Sequence, residues 1–214
     1  MTKLPEGNPA LPEGETGRVM LDRMNGGEHE ALANWAFSYV QFDDVEFVLD
    51  IGCGGGANVK RLSERMPYAD VVGVDLSPLA VEKSREYNAK LIEEGRVSID
   101  QGDVADLGQF ANSTFDLITA FETIYFWKDV RGALEEIKRL LIPGGAVVIC
   151  NEADGSDSDH YFLAMSVPGM TIYTPRELDE LLTDAGFKKI RVYDDVKTGH
   201  VCVVAQKAKM PQKL

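Results

Sequence analysis

From Glu46 onward the sequence alternates short apolar runs with amphipathic segments, and this alternation restricts the fold more than any other feature. Two of the runs, EFVLDIG and ADVVGVDL, are nearly continuous in apolar residues, as expected of strands covered by helices on both faces of a parallel sheet. Helices are predicted over 58–66 and 78–93, and two further strands, RVSIDQGDV and FDLITAFE, follow. This rhythm predicts an α/β fold with a doubly wound, mostly parallel sheet.

The last strands of the sheet are predicted to be antiparallel. A helix over 129–142 precedes the fifth strand, GAVVICNE, and after an irregular stretch over 153–170 a capping box of Thr174 and Glu177 starts another helix. The final runs, FKKIRVYDD and HVCVVAQK, are separated by a few turn residues and no helix, so they form an antiparallel hairpin. The prediction is a seven-stranded, mostly parallel sheet with a C-terminal antiparallel hairpin and helices on both faces.

The N-terminal part of the chain differs in composition from this unit. The first 27 residues are rich in Pro, Gly and charge and show no periodicity that could bury a face, so we predict a loose arm or a flap that orders on binding. The next segment has an apolar helical face that must be buried, formed by Leu32, Trp35, Ala36, Tyr39 and Val40. We predict an arm and lid helix over 1–45, one binding domain over 46–207 and a tail over 208–214.

Composition argues against several classes of partner. Thirty-five acidic residues against 22 basic ones give a formal charge of -13, which repels phosphate backbones, so no nucleic-acid partner is expected. The cysteines, Cys53, Cys150 and Cys202, form no C-x-x-C pair and no His/Cys cluster of zinc spacing, so we expect no metal and a reducing compartment. No apolar run approaches the length of a membrane span. We expect a cytoplasmic protein with no membrane partner; the oligomeric state is not predicted.

The glycine-rich loop between the first strand and the first helix, DIGCGGG, is the candidate ligand site, because open sheets bind ligands at the carboxyl ends of their strands. Asp75 closes the second strand, a placement suited to holding two ribose hydroxyls. The spacing G-x-G-x-G differs from the G-x-G-x-x-G of dinucleotide sites. Asp50, two residues before Gly52, would repel a phosphate but suit an ammonium. The pattern favours S-adenosylmethionine, which has an ammonium and a sulfonium and no phosphate.

With these features the chain resembles the class I S-adenosylmethionine-dependent methyltransferase family, over roughly residues 46–207. The segments that carry the resemblance are VLDIGCGGG, VVGVDLS, QGDV, FDLITAFETIYFW and LLIPGG. The resemblance implies that the first segment lines the methionine part of the cofactor. The contacts would come from Asp50, Gly52, Cys53 and Gly54.

The resemblance also assigns the adenosine end of the cofactor. Asp75 would hold the ribose hydroxyls, and Leu76 would pack on the adenine. Asp103 matches the acid that accepts from the adenine amino group, and Val104 supplies a backbone donor beside it. The sequence departs from many small-molecule relatives after the fourth strand, where ETIYFW stands and a histidine often follows.

The catalytic residues are less constrained by these motifs. Phe121 and Glu122, at the end of the fourth strand, match the motif that faces the reactive methyl. Because the sulfonium is already electrophilic, the protein mainly aligns an acceptor lone pair and excludes water, although an oxygen or nitrogen acceptor can need a base. The catalytic candidates are Glu122, Tyr125 and His29, and for His29 packing or a backbone contact is the alternative. Glu152 and Tyr173 near the strand ends, and His160 in a segment that could fold over the site, are further candidate bases.

We hypothesise that the RMNGG segment is a lid that lies over the cofactor, with Met24, Asn25 and His29 close to the methyl. The alternative is that the N-terminal segment is a structural brace on the sheet.

The predicted function is methyl transfer from S-adenosylmethionine to a small-molecule acceptor by in-line displacement. Two alternatives stay open. One is a noncatalytic S-adenosylmethionine-binding or regulatory module, which would keep the cofactor residues and block the acceptor pocket. The other is a nicotinamide-dependent oxidoreductase, favoured by the glycine loop and Asp75 but opposed by the glycine spacing and the terminal hairpin.

Overall fold

Seven strands form one sheet in the computed structural model, which describes residues 7–156 and 158–209. The strands are β1 (Phe47–Ile51), β2 (Asp70–Asp75), β3 (Val97–Gln101), β4 (Phe115–Phe121), β5 (Leu141–Asn151), β6 (Lys188–Asp195) and β7 (His200–Gln206). Their order is β3-β2-β1-β4-β5-β7-β6. The first five strands run parallel, and β7 pairs antiparallel with both β5 and β6. The predicted sheet and hairpin are confirmed, and β1 and β4 flank the switch point where ligands bind in such sheets.

Helices cover both faces of the sheet. Within the described residues the α-helices are α1 (Gly14–Arg23), α2 (Glu30–Phe37), α3 (Ala57–Arg65), α4 (Pro78–Tyr87), α5 (Ala89–Glu93), α6 (Val130–Leu140), α7 (Ser158–Ser166) and α8 (Pro175–Asp184). None of them is long and apolar enough to cross a membrane. The helix predicted over 78–93 is divided at Asn88, whose side chain donates to the carbonyls of Ser84 and Gly56.

The core has two apolar layers, one on each face of the sheet. Successive residues of a strand point to opposite faces. Accordingly, Ile118 of β4 and Ile149 of β5 belong to the layer that α6 covers, whereas their neighbours Leu117 and Cys150 belong to the layer that α2 and α3 cover. The apolar face predicted for the segment before β1 is therefore buried against the sheet.

The N-terminal arm is more ordered than the sequence predicts. Residues 14–23 form α1, which buries Gly17, Met20 and Leu21, and a π turn over Met24–Glu28 leads into α2. Gly17 packs so closely that an added Cβ would lie 2.8 Å from the carbonyl carbon of Pro12. One of the three buried residues of α1 is thus a glycine, which adds no apolar side chain to the sequence pattern of this helix. The boundary between an arm over 1–45 and a domain over 46–207 stays a prediction, and residues 1–6 and 210–214 lie outside the described residues.

The stretch predicted to be irregular, 153–170, also contains a helix, α7. None of the residues of α7 is buried. A helix that buries no face has no periodic spacing of apolar residues, so the pattern used for the other helices could not detect it.

Candidate active site

A cavity of about 570 Å³ lies at the carboxyl ends of the parallel strands. Its size is within the range of pockets that bind small molecules and cofactors. All residues predicted to contact the cofactor line it: Asp50, Gly52, Cys53, Gly54, Asp75, Leu76, Asp103, Val104 and Phe121. The structure therefore brings the predicted cofactor residues to a single cavity.

The glycine loop after β1 is shaped by close contacts with its neighbours. The N–H groups of Gly52 and Cys53 both donate to the carbonyl of Val74, at 2.8 and 3.0 Å. Gly52 has a φ of 68°, and a Cβ at this position would lie 2.2 Å from Cγ2 of Thr123. Only glycine combines that backbone conformation with that approach, so the loop keeps its turn at the wall of the cavity.

Asp75 is held by backbone donors on both of its oxygens. The N–H of Gly54 donates to Oδ2 and the N–H of Ser77 to Oδ1, each at 2.9 Å. Burial raises the pKa of Asp75, and these hydrogen bonds oppose that effect. A carboxylate offers about four lone-pair sites, so these backbone hydrogen bonds leave acceptor capacity on Asp75 for a hydroxyl group of a ligand.

Asp50 is a buried carboxylate in the floor of the glycine loop. Its Oδ1 accepts hydrogen bonds from the Thr119 hydroxyl at 2.6 Å and from Nδ2 of Asn58 at 2.9 Å. Burial is the main cause that raises its pKa to about 6. The group is therefore ionised at neutral pH and suits a cationic ligand group beside the loop.

The remaining predicted cofactor residues differ in character. Cys53 is buried and burial raises the pKa of its thiol well above the ordinary value, so it is a small packed side chain and not a nucleophile. Leu76 is 47% exposed, which leaves an apolar surface for a flat ring. Asp103 is exposed, and its Oδ1 accepts from the N–H of Ala105 at 3.0 Å.

Three titratable side chains meet at one side of the cavity. Nδ1 of His29 lies 2.9 Å from Oε1 of Glu152, within hydrogen-bond distance. Oε1 of Glu122 accepts from the N–H of Glu152, and Glu122 adopts a φ of 60°, which is unusual for a residue with a Cβ. The potential ligand atoms of the three side chains all lie within 4.8 Å of one another, and such groups also ligate metal ions. His29 and Glu122, both predicted catalytic residues, line the cavity.

The charges in this cluster influence one another. Burial raises the pKa of Glu122 to about 7, the charge of Glu152 adds to that effect, and His29 opposes it. Burial also raises the pKa of Glu152, but the hydrogen bond and charge of His29 outweigh it, so that pKa is lowered. Glu152 is thus the carboxylate paired with His29, and Glu122 changes its protonation near neutral pH.

Tyr125, the third predicted catalytic residue, lies behind this cluster. Its side chain is 2% exposed, and its hydroxyl accepts from the N–H of Ala153 at 2.9 Å and lies 3.3 Å from Oε1 of Glu122. The described residues that line the cavity do not include it. Burial raises the pKa of the Tyr125 hydroxyl well above its ordinary value, so the group stays protonated. In this arrangement Tyr125 holds Glu122 and does not face the cavity.

The N-terminal segment contributes residues that sequence reasoning missed. Residues 8–12 line the cavity, and the Ser77 hydroxyl fastens them by donating to the carbonyl of Pro12 at 2.7 Å. No sequence pattern marks these residues as ligand contacts. Met24 and Asn25 also line the cavity, as the lid hypothesis predicts.

Residues 49–149 match the family model described as a methyltransferase domain. This chain carries a class I S-adenosylmethionine-dependent methyltransferase domain. The predicted family and fold are therefore confirmed, and S-adenosylmethionine is confirmed at the level of the family as the cofactor. The match to a methyltransferase domain supports the predicted enzyme class.

Curated relatives of this methyltransferase domain include several O-methyltransferases. One from Penicillium expansum is 32% identical over 152 residues, which are 70% of this chain and 54% of the relative. Another, from Aspergillus sclerotiorum, is 28% identical over 186 residues, or 84% of this chain and 66% of the relative. The chain thus spans between half and two thirds of the length of these relatives.

Solved structures show the same fold at low sequence identity. A chain in the complex of the Haloferax volcanii Trm112 methyltransferase activator with a methyltransferase aligns with a TM-score of 0.76 at 21% identity, covering 87% of this chain and 95% of that chain. An S-adenosylmethionine-dependent methyltransferase from Aquifex aeolicus aligns with a TM-score of 0.73 at 18% identity, covering 94% of this chain and 99% of that chain. At such identities the likeness establishes the fold alone.

Proposed function

We propose that this chain transfers the methyl group of S-adenosylmethionine to an oxygen atom of a small-molecule acceptor by in-line displacement. The observation that carries the proposal is the cluster of His29, Glu122 and Glu152, of which His29 and Glu122 line the same cavity as the cofactor residues. A proton acceptor at that place suits a hydroxyl acceptor, which must lose its proton when it is methylated. The names of the curated relatives, which are O-methyltransferases, support an oxygen acceptor.

The residues of the cavity fit this cofactor. Asp50 is ionised beside the glycine loop and faces the ammonium in this proposal, while Asp75 receives the ribose hydroxyls with its remaining acceptor positions. The exposed side chain of Leu76 packs on the adenine, with Asp103 and Val104 at the polar edge of that ring. When bound, S-adenosylmethionine supplies an electrophilic methyl group, so the protein has no leaving group to activate.

In this proposal His29 takes the proton of the acceptor hydroxyl. Glu152 binds Nδ1 of His29, orients the imidazole and stabilises the positive charge that forms on it, as the carboxylate of a catalytic triad does. Glu122, when ionised, adds to this stabilisation, because its carboxylate lies in the same cluster. Tyr125 acts as a positioning residue that fixes Glu122 through its hydroxyl.

Phe126 and Trp127 also line the cavity. Two aromatic rings in the lining favour a phenolic or other aromatic hydroxyl compound as the acceptor. A small-molecule partner and a cytoplasmic location stay predictions, supported by the formal charge of -13 and by the free cysteines Cys53, Cys150 and Cys202.

A turnover assay tests the proposal. The purified chain is incubated with S-adenosylmethionine and a library of small hydroxyl compounds, and S-adenosylhomocysteine is measured with and without EDTA. We expect product with phenolic acceptors and equal turnover in EDTA. Binding of S-adenosylmethionine without product from any acceptor would instead support the noncatalytic module. A melting-temperature increase with NAD and none with S-adenosylmethionine would contradict the proposal.

A further inference from the structure

Asn25 links the N-terminal arm to the glycine loop. It lies in the π turn between α1 and α2, and its Nδ2 donates a hydrogen bond to the carbonyl of Gly55 at 2.8 Å. A Cβ on Gly55 would lie 2.5 Å from Oδ1 of Asn25. The amide therefore occupies the space directly against the loop that lines the cavity.

The same amide leaves one polar atom unsatisfied. Because only an NH₂ group can donate to a carbonyl, the contact with Gly55 fixes which side-chain atom is Oδ1. That oxygen is buried and has no hydrogen-bond partner among the described residues. A buried acceptor without a donor is unfavourable, so a ligand that supplies a donor at this position gains affinity.

The donors of S-adenosylmethionine are few, and the cavity assigns most of them elsewhere. In the binding mode proposed above, the ribose hydroxyls donate to Asp75 and the adenine amino group to Asp103, and both residues line the cavity. The ammonium of the amino-acid part carries three N–H donors, so it can donate to a second acceptor besides Asp50. The glycine loop that Asn25 contacts is the part of the cavity assigned to that end. The carboxylate of the cofactor offers no donor.

We propose that Oδ1 of Asn25 accepts a hydrogen bond from the ammonium of bound S-adenosylmethionine. The inference rests on the cofactor binding proposed above. Asn25 then contacts the loop with its NH₂ group and the cofactor with its oxygen, so the amino-acid part of the cofactor fastens the arm over the cavity. Ligands that lack this part bind without engaging Asn25.

Two ligands separate this role from a purely structural one. S-adenosylhomocysteine carries the ammonium, whereas 5′-methylthioadenosine has the same adenosine and sulfur without the amino acid. Calorimetry measures both affinities for the wild type, for Asn25→Ala and for a matched control, Asn34→Ala. Asn34 lies on α2, is exposed and accepts from Arg65, away from the cavity.

We expect Asn25→Ala to lower the affinity for S-adenosylhomocysteine about tenfold to a hundredfold, the usual range for a hydrogen bond to a charged group. The affinity for 5′-methylthioadenosine should change less than about twofold by the same reasoning, and Asn34→Ala should leave both affinities unchanged. The ratio of the two affinities is measured on one protein and does not depend on a partly unfolded fraction, so a loss of stability does not obscure the result.

Equal weakening of the two ligands would overturn the inference, because Asn25 would then only hold the loop. Unchanged affinity for S-adenosylhomocysteine would overturn it as well. Failure of the wild type to bind S-adenosylhomocysteine would be a different result, since it would contradict the proposed function itself.

Discussion

His29 and Glu152 are in contact, with 2.9 Å between Nδ1 and Oε1, although 123 residues separate them in the sequence. The contact joins the N-terminal arm to the end of β5, beside Glu122 at the end of β4. The arm therefore supplies a titratable group to the cavity, which a structural brace would not need. Three consequences of this arrangement can be measured on the chain itself.

Replacement of His29 tests the proposed base. We expect His29→Ala to lower kcat about 10²- to 10⁴-fold, the usual contribution of a general base, while the affinity for S-adenosylhomocysteine changes little. Glu152→Gln keeps the size of the side chain and removes its charge, so it should lower kcat by a smaller factor. Steady-state kinetics with a phenolic acceptor measure both. Full activity of His29→Ala would show that the residue only packs.

The pH dependence of the rate tests the role of Glu122. Because its pKa is raised to about 7, the carboxylate becomes ionised only as pH rises through that value. We expect kcat/KM to increase with pH and to level off above about 7, when ionised Glu122 can stabilise a charged His29. Glu122→Gln cannot ionise, so the inflection in its pH profile should move away from that of the wild type. An unchanged inflection in the variant would assign the ionisation to another group.

The raised pKa of Glu122 also affects the stability of the folded chain, which should fall with rising pH, whereas the rate should increase. The folded-state pKa of about 7 exceeds the ordinary value of 4.5, so the folded chain binds this proton more tightly than the unfolded chain. The resulting stabilisation is complete below 4.5 and is lost as pH rises to about 7. The melting temperature of Glu122→Gln, relative to that of the wild type, should therefore be higher at a pH of about 8 than at about 5. An equal difference at both pH values would argue against a raised pKa.

Most of the fold and the cofactor part of the site could be predicted because their signals are local. The strands β1 and β2 are recognisable as apolar runs in the sequence. The roles of Asp50 and Asp75 could be predicted from their positions at the ends of these strands. His29, Glu122 and Glu152 could each be named as a candidate base, but their contact could not be predicted, since they come from distant segments that only the complete fold assembles. The direction of Tyr125 could not be predicted either, because a 3₁₀ turn over Ile124–Phe126 points it inward.

Deleting residues 1–12 tests the part of the arm that sequence reasoning missed. The deletion removes the segment fastened to Ser77 and leaves α1 and Asn25 in place. Because Ser77 follows Leu76 at the adenosine end, we expect S-adenosylhomocysteine and 5′-methylthioadenosine to lose affinity by similar factors in calorimetry. Wild-type affinity for both ligands would show that the segment makes no contact with the cofactor. A loss of affinity for S-adenosylhomocysteine alone would show that the segment lies at the amino-acid end of the cofactor.

Replacement of Asp75 tests the orientation of the cofactor. We expect Asp75→Ala to weaken S-adenosylhomocysteine by about 1.5 to 3 kcal/mol, the usual worth of hydrogen bonds to a charged group. Part of the loss would come from Gly54 and Ser77, which lose their acceptor. Unchanged affinity in a folded variant would exclude Asp75 as the ribose ligand.

The most direct test of the account is a crystal structure of the chain with S-adenosylhomocysteine. We expect the ribose on Asp75, the amino-acid part against the glycine loop and Asn25, and the sulfur facing the side of the cavity that holds His29 and Glu122. A phenolic acceptor soaked into such crystals should place its hydroxyl between the sulfur and His29. A cofactor bound in the reverse direction, with its adenine beside His29 and Glu122, would contradict the account.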